Sequence, residues 1–101
     1  MSDAQLYQLV LADIAMAGAI HACGGALEPV DRGDYAPGAL RDRWLARHPT
    51  GPLRSRIVAM ANAGVGSLQQ LAPERLQEMA ARFDVPLGAE LAAAMAAHFA
   101  T

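Results

Sequence analysis

The sequence predicts an all-α fold: a single domain of about five short-to-medium helices, with the first at the centre. Three observations predict it. Apolar residues recur every three or four positions, and no segment sustains the alternation of Val, Ile and Thr that marks a strand. Alanine supplies much of the 53% apolar content, and alanine is the strongest helix former. Glycine and proline fall between the periodic stretches, where helices stop and start. A chain of 101 residues fits one domain, spanning 1–101.

The first helix opens at "SDAQ", residues 2–5, with Ser2 as cap and Gln5 reaching back to it. It runs to about Cys23, ahead of the stop signal Gly24-Gly25. At about 100° per residue, Leu6, Val10, Ile14, Ala17 and Ile20 form a bulky stripe. Ala4, Ala12, Ala15, Ala19 and Ala22 form a small-residue face that lets another helix come close. With both faces covered, this helix is central.

Residues 24–38, "GGALEPVDRGDYAPG", read as one long loop, and loops of this length tend to be functional. Pro37 then opens the second helix, with Leu40, Trp44 and Leu45 as its stripe, and Pro49 ends it. Pro52 starts the third, with Leu53, Ile57 and Met60 inward and Gly64 as its end. Ser67 and Gln70 form a second capping box over a short turn. Pro73 restarts a helix whose stripe is Leu76, Met79, Ala80 and Phe83. "DVP", 84–86, breaks the chain. The last helix runs from Leu87 to about Phe99 and carries Leu87, Leu91, Met95, His98 and Phe99 on one side.

Charge narrows the function. The net charge is −2, and all eight basic residues are arginine, as in the proteins of GC-rich bacterial genomes. Nucleic-acid-binding domains are usually basic, so nucleic acid is not an expected partner. A single cysteine allows no internal disulfide and fits a cytoplasmic protein. "IHAC" resembles the box before a lipidated cysteine. However, no Lys or Arg precedes Arg32, and Asp13 interrupts the apolar run, so export is not expected. Asp13 and His21 also argue against a membrane span.

No catalytic constellation is visible. His21 and Cys23, two apart on a helix, point roughly 200° apart and cannot share one metal ion. Paired ligand spacings are missing, so neither metal nor cofactor is expected. A phosphate loop and a nucleophile elbow are missing too, so the protein is not read as an enzyme. Asp13 and His21 fall on the bulky face two turns apart. Asp13 needs a partner there, and an arginine from the central region is the natural one. The bland reading is a structural ion pair. The functional one is a small-molecule or metal-binding pocket of Asp13, His21 and Tyr35, in an accessory protein or minor enzyme. Arg32, Arg41, Arg43, Arg47, Arg54 and Arg56 are interleaved with Glu28, Asp31, Asp34 and Asp42. They read as a solvated face with local ion pairs rather than a phosphate or RNA site.

"LQEMAARFDVPLGAELAAAM", 76–95, resembles the spacing of a helix-turn-helix, with Ala80 in the first helix and Val85 after the turn. Asp84 stands where glycine is usual, and Glu90 lies near a position that is usually branched and apolar. The second helix offers almost no side chains for base edges, so DNA binding stays a second alternative. The leading expectation is a small regulatory or adaptor protein that binds another protein, itself as a homodimer, or both. It would occlude a partner's surface in the manner of an anti-activator or antitoxin. Leu87, Leu91, Met95 and Phe99, on a C-terminal helix (86–101) offered to a partner, are the expected anchors. Trp44 flanked by Arg41 and Arg47 is a second anchor.

Overall fold

In the computed structural model, the chain folds as α1 (Asp3–Ala22), α2 (Ala39–Arg47), α3 (Pro52–Leu68), α4 (Pro73–Arg82) and α5 (Ala89–Phe99). A short 3-10 turn, Arg32–Asp34, sits in the loop before α2. The structure describes residues 2–28, 30–87 and 89–99, without the side chains at 3, 32, 73, 89, 90, 92, 96 and 99. There is no strand among the described residues.

α1 is the central element, packed against α3 along its length and against α2 beside it. Val10, Leu11, Ile14 and Met16 are wholly buried. The capping box forms as expected. The Gln5 amide donates to Ser2 Oγ at 3.2 Å, and the Ser2 amide donates to Gln5 Oε1 at 2.9 Å. The far end closes at the paired glycines. Gly25 donates to the Ile20 carbonyl at 2.9 Å and Gly24 to the His21 carbonyl at 3.0 Å, with Gly24 left-handed at φ 81°. The small-residue face works as a close-approach surface. A Cβ on Gly64 of α3 would rest 3.5 Å from Ala15 Cβ, and one on Gly18 would rest 3.3 Å from the Phe83 ring.

Several expected boundaries move. α2 begins at Ala39 rather than Pro37, because Gly38 is left-handed at φ 89° and acts as the N-cap. α3 does not end at Gly64; it continues through Gly66 to Leu68, so Ser67 lies inside the helix and caps nothing. Each helical glycine costs only about 1 kcal/mol, and burying Leu68 offsets that. The inward stripe of α3 is narrower than expected. Ile57, Ala61 and Leu68 are buried, whereas Leu53 is 52% exposed and Met60 39%. α4 ends in a full Schellman turn. Val85 donates to the Ala80 carbonyl at 2.8 Å and Asp84 to the Ala81 carbonyl at 3.3 Å, with Asp84 left-handed at φ 60°.

The C-terminal helix packs on α4 rather than standing free. Met95 is wholly buried, Leu87 is buried in the connection before α5, and Leu91 is half-buried. Tyr7 of α1 meets His98 of α5 edge-on, with ring centroids 5.2 Å apart. Leu87 and Met95 are therefore core residues rather than anchors held out to a partner. The expected anchor Phe99 has its side chain outside the described part.

Candidate functional site

Asp13 is fully buried on α1, and its carboxylate completes the first turn of another helix. α2 has no side-chain cap of its own, because Gly38 stands at the N-cap. Asp13 Oδ1 accepts from the Arg41 amide at 3.0 Å, the place an N-cap side chain would serve. Asp13 Oδ2 accepts from the Gly38 amide at 2.8 Å and from the Tyr35 hydroxyl at 2.7 Å. Burial pushes the Asp13 carboxyl above its usual range, and the three hydrogen bonds hold that rise back. Burial, with the carboxylate beside it, raises Tyr35 further and keeps its phenol protonated. An arginine of the central region was expected to pair with Asp13; Arg41 meets it, but through its main-chain amide and not in an ion pair.

His21 does not join this group. Eight residues carry a helix about 80° beyond two full turns, so Asp13 and His21 do not share one direction. His21 is exposed, and its ring meets the Phe83 ring edge-on at 5.5 Å. The structure joins Asp13 to Tyr35 and leaves His21 elsewhere; the pocket of all three is not assembled. Cys23, the C-cap of α1, is half-buried and carries a free thiol. Among the described residues, no group of three His, Cys, Asp or Glu side chains could hold a metal ion.

Two of the open concavities among the described residues bear on function. The first lies between the end of α1, residues 25–28, α2 and the start of α3, with a volume of about 210 Å³. Buried Ile20, Leu40 and Ile57 form its inner wall, and Leu53 stands at its side. Trp44, expected as a surface anchor, is buried here and stacks on His48, with centroids 4.3 Å apart at 16°. Arg43 and Arg47 lie one turn apart on α2 and converge on Glu28. Arg47 donates to Glu28 Oε1, and Arg43 Nη1 lies 4.0 Å from Oε2. The Arg47 hydrogen bond holds the Glu28 carboxyl below its usual range. Arg54 closes the end of α2, donating to the carbonyls of Leu45 at 3.1 Å and His48 at 2.8 Å. The mixed central charges thus resolve partly into ion pairs and a helix cap.

The second concavity is an apolar groove of about 440 Å³ between α1, α3 and α4. Ala15, Gly18, Ala19 and Gly64 form its floor; Met60, Leu71, Met79 and Phe83 form its walls, and Arg75 lies at its rim. Ala15 and Ala19 lie on the face expected to take a close helix, and both are buried at the bottom of the groove. The signal for the groove was there: Gly18 and Gly64 add small residues to that face, and Met60 is apolar yet flanks the buried stripe. The exposed positions described on α5 include Ala93, Ala94 and Ala97, whose methyl groups cannot hydrogen-bond a base edge. No helix among the described residues is long and apolar enough to cross a membrane.

Fold and site together define the class: a small all-α globule in which a buried carboxylate of α1 caps α2, with an arginine-edged cavity and an apolar groove among the described residues. No protein-family model matches the chain, and neither does any curated protein or solved structure.

Proposed function

We propose that the protein acts by binding another protein, taking one apolar helix of that partner into the groove between α1, α3 and α4. The carrying observation is the groove itself: about 440 Å³, floored by small residues and walled by Met60, Leu71, Met79 and Phe83. The two methionines in its walls, Met60 and Met79, adapt to a guest's shape. A concave apolar groove between helices is a common seat for one amphipathic helix of a partner. Arg75 at the rim favours an acidic side chain beside the guest's apolar stripe. Its own pair with Glu78, at 2.7 Å, is exposed and readily exchanged. Covering a partner's helix would act by occlusion, as an anti-activator or antitoxin does. A single cysteine fits action in a reducing cytosol.

The test compares the wild type with Met60→Asp as baits in the same native lysate, with mass spectrometry of what each retains. Met60 is 39% exposed, so the substitution is expected to lower the melting temperature by a few degrees without unfolding the protein, which a melting curve checks. The expected result is a protein retained by the wild type and lost with Met60→Asp, followed by binding of its purified apolar helix. Equal retention by both baits rejects the groove. A homodimer that Met60→Asp dissociates makes the occupant a second copy and rejects the separate partner.

A further inference from the structure

We propose that the cavity beside α2 binds a small monocarboxylate with an apolar body, whose carboxylate takes the place of Glu28 between Arg43 and Arg47. Three observations carry this, and none involves the groove. First, a carboxylate already fits the arginines. The Glu28 oxygens divide between them, Oε1 with Arg47 and Oε2 with Arg43. Second, this carboxylate is exchangeable. Glu28 and both arginines are exposed, and residues 25–28 have no regular secondary structure. An exposed ion pair contributes little, so another carboxylate can replace it at small cost. Third, the space behind the arginines is apolar. Ile20, Leu40 and Ile57 are buried in its wall, with the buried Trp44 beside them.

The chemistry follows from that arrangement. Two guanidinium groups one turn apart select an anion, and a carboxylate suits their fork geometry. The walls select an aliphatic or aromatic body, which an inorganic anion lacks. Leu53, 52% exposed at the side of the cavity, gains an apolar neighbour when the body is seated. The cavity, at about 210 Å³, lies below the roughly 300–1,000 Å³ that holds drug-sized ligands, so the ligand is smaller than those. Glu28 then acts as a built-in competitor that lowers the affinity for the incoming carboxylate.

Trp44 is the only tryptophan, so its fluorescence reports the cavity directly. The titrants are hexanoate, hexylamine and inorganic phosphate, added to the wild type, Glu28→Gln and Arg43→Gln/Arg47→Gln. The expected result is a saturable response to hexanoate, with no saturable response to hexylamine or phosphate over the same range. Glu28→Gln is expected to bind hexanoate about threefold to tenfold more tightly. The double arginine variant is expected to bind it at least about tenfold more weakly. All three side chains are exposed, and circular dichroism checks that each variant keeps its fold. No saturable response in either the wild type or Glu28→Gln overturns the proposal. So does equal binding of hexylamine, or unchanged or weaker binding by Glu28→Gln.

Discussion

Asp13 belongs to α1 by sequence and to the start of α2 by its hydrogen bonds. Replacing it with asparagine keeps the shape but turns an NH2 group toward at least one of the three donors. Asp13→Asn is expected to lose about 1–3 kcal/mol in urea unfolding. Tyr35→Phe removes one hydrogen bond to a charged group and is expected to lose about 1.5–3 kcal/mol. The pH dependence has a definite sign. Burial raises the folded pKa of Asp13 above its ordinary 3.8, so the folded state holds this proton to higher pH than the unfolded state. Its contribution is fully present below the unfolded value and is lost as pH rises through the folded value. The stability advantage of wild type over Asp13→Asn is therefore expected to be larger near pH 3 than near pH 7. At this scale the sequence revealed that Asp13 needs a partner, because an unpaired buried charge is too costly. It could not reveal that the partners are amides and a phenol 22 to 28 residues away.

Helices read best where their signals are local. Ser2 and Gln5, three residues apart, cap α1 as expected, because the box needs nothing from the rest of the chain. Gly64 misled for the opposite reason: a glycine is a weak stop, and packing of α3 on α1 overrides it. Gly66 faces open space within α3, so Gly66→Ala is expected to raise stability by about 0.5–1 kcal/mol in thermal or urea unfolding. Asp84 holds a left-handed conformation that suits glycine, and Asp84→Gly is expected to gain a similar amount. The helix-turn-helix spacing thus reports a true helix-turn geometry, even though the exposed alanines of α5 suit no base. Met95 tests the placement of α5. As a wholly buried side chain, Met95→Ala is expected to cost about 2–5 kcal/mol, whereas a helix held out to a partner would lose almost nothing.

Over the whole molecule, the Cα radius of gyration is 12.9 Å, close to the roughly 13 Å of a compact 100-residue domain. Among the described residues each helix packs on another, so the proposed partner meets the surface of the globule. The groove and the arginine-edged cavity both border α1 and α3 but share no lining residue. Their responses are expected to separate. Met60→Asp should leave hexanoate binding within about twofold, and Glu28→Gln should leave capture by the groove unchanged. Titration and pull-down on the same two variants check this directly.

The sequence by itself determined the helical class, the central place of α1, the cap at Ser2 and the stop at Gly24-Gly25. Each follows from residues within one or two helical turns of one another, where spacing fixes direction. Tertiary structure alone decided that Asp13 caps α2 and that Trp44 turns inward. It also decided that Arg43 and Arg47 close on Glu28, and that α1, α3 and α4 leave an apolar groove between them. Those outcomes depend on which distant segments meet, and helical periodicity records only which face is apolar, not which neighbour covers it.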